Sequence, residues 1–77
     1  MSKIVKDTDN YSLVIYQSPK NRSRVFLQLR KGGKLQEERL YGGSNKVGLR
    51  AFLIVRYARI HKVDFKEAWE SNEVWLD

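Results

Sequence analysis

Hydrophobic and polar positions alternate along three segments in the first half of the chain. The alternation, together with many β-branched and aromatic residues, predicts strands at Tyr11–Tyr16, Arg24–Arg30 and Leu35–Tyr41. A loop containing proline and asparagine joins the first two strands. Between the second and third, the two glycines of Lys31–Lys34 predict a tight hairpin, because glycine adopts the positive φ angles that such turns need.

The pattern changes to a helical period after Gly42 and Gly43. We expect Ser44 to be the N-cap of a helix that runs to about His61. Its apolar residues form two stripes: Leu49, Phe52, Leu53, Tyr57 and Ile60 on one side, and Val47, Ala51, Ile54, Val55 and Ala58 on the other. A helix resting on one sheet buries one stripe, so the second stripe needs another partner.

The C-terminal segment is the expected partner for that second stripe. Asp64 followed by Glu67 has the spacing of a capping box and predicts a second, short helix. Phe65 and Trp69 form its apolar face, and Trp75 follows. We expect these three aromatic residues to pack against the long helix.

These elements predict an α+β fold of order β-β-β-α-α. A three-stranded antiparallel sheet packs against one long helix, and a short C-terminal helix follows. The 77 residues suit a single domain. We expect residues 1–10 to be flexible and residues 63–77 to form an acidic helical tail.

Composition excludes several kinds of chemistry. The chain has no cysteine, so we expect no disulfide, no thiolate metal site and no cysteine nucleophile. His61 is the single histidine, so we expect no metal site built from several histidines. Without disulfides, a cytoplasmic location is the expectation. No run approaches the roughly 20 apolar residues of a membrane helix, and no membrane partner is expected. We expect a protein without enzymatic activity, metal or cofactor.

The charge is concentrated in the middle of the chain. The net charge is +6, but residues 20–62 hold twelve basic and two acidic residues and carry +10, whereas residues 63–77 carry −4. Such an asymmetry favours a polyanionic partner for the basic centre. The alternative is that the acidic tail folds back over that centre.

One face of the predicted sheet carries the candidate binding residues. Simple alternation from the hairpin places Phe26 opposite Arg39 and Arg30 opposite Leu35, on the face turned away from the helix. Arginine binds phosphate and guanine edges, and aromatic rings stack on bases. The predicted nucleic-acid-binding residues are Lys20, Arg22, Arg24, Arg30, Lys31, Lys34, Arg39 and Lys46.

The segments 24–34, 40–43 and 51–59 carry a resemblance to known families. Three strands with a glycine hairpin, followed by a long helix, resemble the DNA-binding domains of plant ethylene-response factors. They are also similar to the amino-terminal domains of phage and transposon integrases. The resemblance implies a sheet lying in the major groove of DNA. Arg22, Arg24, Arg30 and Arg39 match the strand positions that make the contacts in those families.

The leading hypothesis is therefore binding of double-stranded DNA through the outer sheet face. Arg24, Arg30 and Arg39 would contact the groove, and the neighbouring lysines and Arg22 would contact phosphates. RNA binding through the same surface is one alternative. A small adaptor or inhibitor that binds a protein through the helical face and through Trp69 and Trp75 is the other.

Overall fold

The computed structural model describes residues 2–7 and 10–75 of the chain. The strands are β1 (Ser2–Asp7), β2 (Tyr11–Gln17), β3 (Val25–Lys31) and β4 (Lys34–Tyr41). The helices are α1 (Ser44–His61) and α2 (Phe65–Glu70), and a 3-10 helix covers Asn72–Trp75.

The α+β class and the three predicted strands are confirmed, as β2, β3 and β4. The sheet is one strand wider than predicted, because β1 pairs with β2 to give the antiparallel order β1-β2-β3-β4. β1 forms within the first ten residues, which were expected to be flexible. Its polar composition conceals a strand, since edge strands tolerate charged residues that central strands do not.

A single core lies between the sheet and the helices. Leu13, Leu27 and Leu29 of the two central strands are fully buried and pack against Ile54 of α1 and Trp69 of α2. α1 lies over β3 and its neighbours, while α2 lies over β2 and β3. The helices therefore cover one face of the sheet, which we call the helix-facing side.

The helix caps agree with the sequence prediction for α2 but not for α1. α1 begins at Ser44 with Gly43 as its N-cap and without a side-chain cap, so the prediction of Ser44 as N-cap is wrong. Lys62 ends α1 in the left-handed conformation, with φ of 55°. Asp64 is the N-cap of α2 as predicted, and its Oδ1 accepts a 2.9 Å hydrogen bond from the backbone N–H of Glu67.

The C-terminal segment packs beside α1 as expected, but it covers only part of the stripe that contains Leu49 and Ile60, where Leu53 and Tyr57 are half-buried. α2 and the 3-10 helix lie beside α1, and Phe65 and Trp69 turn into the shared core with the sheet. Leu49, Phe52 and Ile60 remain 59, 57 and 59% exposed. Among the described residues, no helix has the length and apolar character needed to cross a membrane.

Candidate nucleic-acid interface

The face of the sheet opposite the helices is the candidate interface. Strand alternation and register place Val14 and Tyr16 of β2, and Phe26, Gln28 and Arg30 of β3, on this outer face. It is less polar than expected. Val14 is only 1% exposed although it does not belong to the core cluster between the sheet and the helices.

A β-bulge changes the predicted pairing of β3 with β4. Arg30 lies opposite Leu35 as predicted, but the next pair is Leu29 with Glu37, so Gln36 is an extra residue on β4. Beyond the bulge, the register differs by one residue from simple alternation. Arg39 is therefore opposite Leu27, on the helix-facing side, and the prediction that it lies on the outer face is wrong.

Arg39 instead helps to hold the C-terminal segment. Its guanidinium carbon lies 4.0 Å from the centroid of the Trp75 ring. Arg50, which is 8% exposed, approaches the same ring at 5.8 Å and donates a hydrogen bond to the backbone carbonyl of Val74. Two charges of the basic centre thus bind a ring and a carbonyl in the protein's own C-terminal segment.

Near the hairpin, the polar side chains of the outer face are hydrogen-bonded to one another. Gln28 donates from Nε2 to a carboxylate oxygen of Glu38 at 3.1 Å, and its Oε1 accepts from Nε of Arg30 at 2.9 Å. Gln28 is buried beneath these partners. Arg30 is on the predicted face, but its guanidinium is committed to this network.

The other half of the outer face, towards the β2–β3 loop, is apolar and aromatic. Tyr16 and Phe26 are cross-strand neighbours, with ring centroids 6.3 Å apart and ring planes at 40°. Leu40 lies opposite Phe26 on β4, and Ile4 lies opposite Val14 on β1. We call the four residues Ile4, Tyr16, Phe26 and Leu40 the aromatic patch.

Three predicted cations border the aromatic patch, on the loop between β2 and β3. The loop is held by hydrogen bonds: Ser18 N–H to the Arg24 carbonyl, Arg24 N–H to the Asn21 carbonyl (both 3.0 Å), and the Gln17 amide to the Arg22 carbonyl at 2.9 Å. Asn21 Oδ1 also accepts from Ser23, at 2.6 and 3.1 Å. We call Lys20, Arg22 and Arg24 the basic loop. All three are exposed, on a loop that these bonds brace.

The remaining predicted residues lie elsewhere. Lys31 lies over the ring of Tyr11 on the helix-facing side, with its Nζ 5.5 Å from the centroid. Lys34 is at the hairpin, at the far end of the sheet from the basic loop. Lys46 is exposed in the first turn of α1. The structure therefore brings Lys20, Arg22 and Arg24 together, but not the other cations.

Sequence reasoning missed three residues of the aromatic patch: Ile4, Tyr16 and Leu40. Ile4 was in a segment expected to be flexible, and Leu40 was assigned to the helix-facing side because the bulge was not foreseen. Tyr16 had a detectable signal, since it alternates with Leu13 and Ile15, the positions of β2 that face the core. Trp69 was a candidate protein contact, but it is 3% exposed and belongs to the core.

Comparison with known proteins adds no relative to this picture. The resemblance to ethylene-response factors and integrases thus stays a prediction. The chain matches no family model, no curated protein and no solved structure.

Proposed function

We propose that this protein binds nucleic acid through the outer sheet face, and that the preferred form is single-stranded. The observation that carries the proposal is the aromatic patch with the basic loop at its border. Stacking surfaces beside fixed cations are the two components by which proteins bind single strands without a defined sequence.

The basic loop supplies the electrostatic part of the affinity. Its three cations are exposed and have no acidic residue among them between residues 18 and 24. Contacts to three phosphates of a single strand give a slope of log affinity against log salt of about −2, at about −0.7 per phosphate. Raising the salt from 50 to 200 mM would then weaken binding about 15- to 20-fold.

The aromatic patch supplies the contact to the bases. Tyr16 and Phe26 are half-buried, so each ring is held by its neighbours while one part faces solvent. Stacking of a base on an aromatic side chain contributes about 1–3 kcal/mol, which corresponds to a fivefold to 150-fold change in affinity. The exposed Leu40 and Ile4 extend the apolar surface on either side.

Duplex DNA, the leading hypothesis from the sequence, is supported less well by this geometry. Reading the major groove through the sheet required Arg24, Arg30 and Arg39 on one face. Arg39 is on the opposite face and Arg30 is bonded to Gln28, so Arg24 is the arginine of the three that stays available. A stacked duplex also hides its base faces from the rings of the aromatic patch.

The test compares single strands with a duplex by fluorescence anisotropy. Labelled oligo-dT, oligo-rU and a mixed-sequence duplex are titrated with the protein at 50 and 200 mM salt. Phe26→Leu with Tyr16→Leu removes the stacking rings but keeps apolar side chains in their place. Arg22→Ala with Arg24→Ala removes two charges from the basic loop, and the matched control Lys31→Ala with Lys34→Ala removes two charges from the hairpin.

We expect the single strands to bind more tightly than the duplex. The ring variant should weaken single-strand binding at least fivefold, and the basic-loop variant should weaken it more than the hairpin control does. Absence of binding to all three probes at 50 mM salt would refute the nucleic-acid proposal. Tighter duplex binding that ignores the ring substitutions would refute the single-strand preference and favour the groove hypothesis.

A further inference from the structure

We propose that the outer surface of α1 is a docking site for an acidic amphipathic helix of a partner protein. This surface lies on the layer opposite the outer sheet face, so the inference does not depend on nucleic-acid binding. It consists of Leu49, Phe52, Leu53, Arg56 and Ile60, which we call the α1 strip.

The α1 strip exposes unusually large apolar side chains. At 100° per residue its five members fall within about one third of the helix circumference, so they form one continuous surface. Leu49, Phe52 and Ile60 are each more than half exposed. The buried residues Val47 and Ile54 project from the other side of the helix. Exposed apolar surface of this extent marks an interaction site rather than ordinary solvent-facing surface.

Two grooves lie along α1 at the edge of the strip, and all strip residues except Phe52 line one or both of them. One, of about 610 Å³, lies between α1 and the end of β4 and is lined by Leu49 and Leu53. The other, of about 240 Å³, lies between α1 and the 3-10 helix and is lined by Leu53 and Ile60. Leu53 lines both grooves, and the α1 residues that line them run from Lys46 to His61, which is about 22 Å of helix at 1.5 Å per residue.

The charge around the strip determines the chemistry of the partner. α1 has no aspartate or glutamate anywhere in its 18 residues, whereas Lys46, Arg56 and Arg59 are exposed on or beside the strip. Glu73 is the acidic residue that lines the smaller groove, between α1 and the 3-10 helix. A partner with an apolar face and flanking carboxylates complements both features, and its carboxylates should face Lys46 and Arg56 rather than Glu73.

A helix is the partner element that fits these dimensions. The apolar positions of the strip recur at the three-, four- and seven-residue spacings by which amphipathic helices pack together. A second copy of this chain is a poor occupant, because pairing two α1 strips would bring Lys46, Arg56 and Arg59 of one copy against those of the other. Glu73, which lines the groove beside Arg56, is one carboxylate against these three cations in each copy.

The experiment uses a synthetic amphipathic helix as the probe. It has the 18-residue length of α1, with leucines along one face and glutamates on both flanks. A second peptide with lysine in place of every glutamate is the charge control. Binding to the full-length protein is measured by fluorescence anisotropy of the labelled peptide. Phe52→Ser with Ile60→Ser tests the apolar contact, and Arg56→Glu tests the charge.

Matched control variants distinguish binding at the α1 strip from non-specific binding elsewhere on the protein. Leu35, which is 51% exposed at the hairpin, gives the apolar control Leu35→Ser, and Lys34→Glu gives the charge control at the same end of the sheet. Because the substituted side chains are exposed, the thermal midpoints of all variants should stay close to that of the unsubstituted protein. The midpoints verify that any loss of binding is not a loss of folding.

We expect the acidic peptide to bind and the basic peptide not to bind. Both strip variants should weaken binding at least tenfold, and both controls should leave it unchanged. Equal binding of the two peptides, no binding of either, or equal effects of strip and control substitutions would overturn the proposal. So would a dimer in sedimentation that Phe52→Ser dissociates, or strip-dependent binding to phosphatidylglycerol vesicles, since each assigns the strip to another occupant.

Discussion

Replacing Arg50 with methionine tests how the C-terminal segment is held to the domain. Arg50 of α1 is buried, and its guanidinium donates a hydrogen bond to the Val74 carbonyl and lies near the Trp75 ring. Methionine fills a similar space with an unbranched apolar chain but cannot donate a hydrogen bond. The substitution therefore removes the polar contacts while changing the packing as little as possible.

The expected loss follows from two opposing terms. A hydrogen bond from a charged donor contributes about 1.5–3 kcal/mol, and its removal leaves the Val74 carbonyl without this donor. Relief from burying a guanidinium offsets part of that loss. We expect a net destabilisation of about 1–2 kcal/mol, or a fall of about 5–15 °C in the thermal midpoint of a domain of this size.

Tryptophan fluorescence measures this change at its site. The chain has two tryptophans, Trp69 and Trp75, which lie edge to face with ring centroids 5.0 Å apart, and Trp75 Nε1 donates to the Trp69 carbonyl at 2.6 Å. Emission should shift to the red in the Arg50 variant as Trp75 loses its neighbour. Arg56→Met, on the exposed side of the same helix, is the control and should change stability by less than about 0.5 kcal/mol. Equal midpoints and emission for both variants would contradict this account of how the segment is held.

Two further contacts, both in α2, can be tested by substitution. Asp64→Ala removes the N-cap acceptor of the Glu67 N–H and should cost about 1 kcal/mol in urea unfolding, whereas Glu67→Gln, which keeps that N–H, should cost much less. The pKa of Lys66 is raised above its ordinary value of 10.5, first by its hydrogen bond to Glu70 and then by the charge of Glu70, and NMR titration should show it lowered in Glu70→Gln. Because the pKa of Lys66 is raised in the folded state, any stabilisation by the pair is present at neutral pH and is lost as the pH rises through that pKa. If Glu70→Gln left the pKa of Lys66 unchanged, Glu70 would not be the cause of the shift.

The elements of the fold could be predicted because their signals are local. The β-branched and aromatic residues of Tyr11–Tyr16, the two glycines after Lys31 and the Asp64–Glu67 spacing each act within a few residues, and each corresponds to an observed element. β1 had no such signal. Its formation depends on pairing with β2, a contact between distant segments that polar edge residues do not reveal.

The composition of the outer face could not be predicted, since one residue decides it. Gln36 is accommodated as a bulge, which exchanges the faces of every later residue of β4 relative to simple alternation. The exchange has a physical advantage. It places Arg39 over the ring of Trp75, whereas the simple register would have directed Leu40 to the helix-facing side and left Arg50, at 5.8 Å, as the cation near that ring.

The same bulge links the C-terminal segment to the candidate interface. By placing Arg39 on the helix-facing side, it lets Leu40 extend the apolar surface next to Phe26, and it removes from the outer face a charge that duplex recognition would have used. The position of Arg39 thus depends on a contact with Trp75, some 36 residues later in the chain, that the pattern within β4 does not contain. A net charge of +6 is consequently a poor guide to the binding surface, because Arg39 and Arg50 contact the protein's own C-terminal segment while the basic loop keeps its charges in solvent.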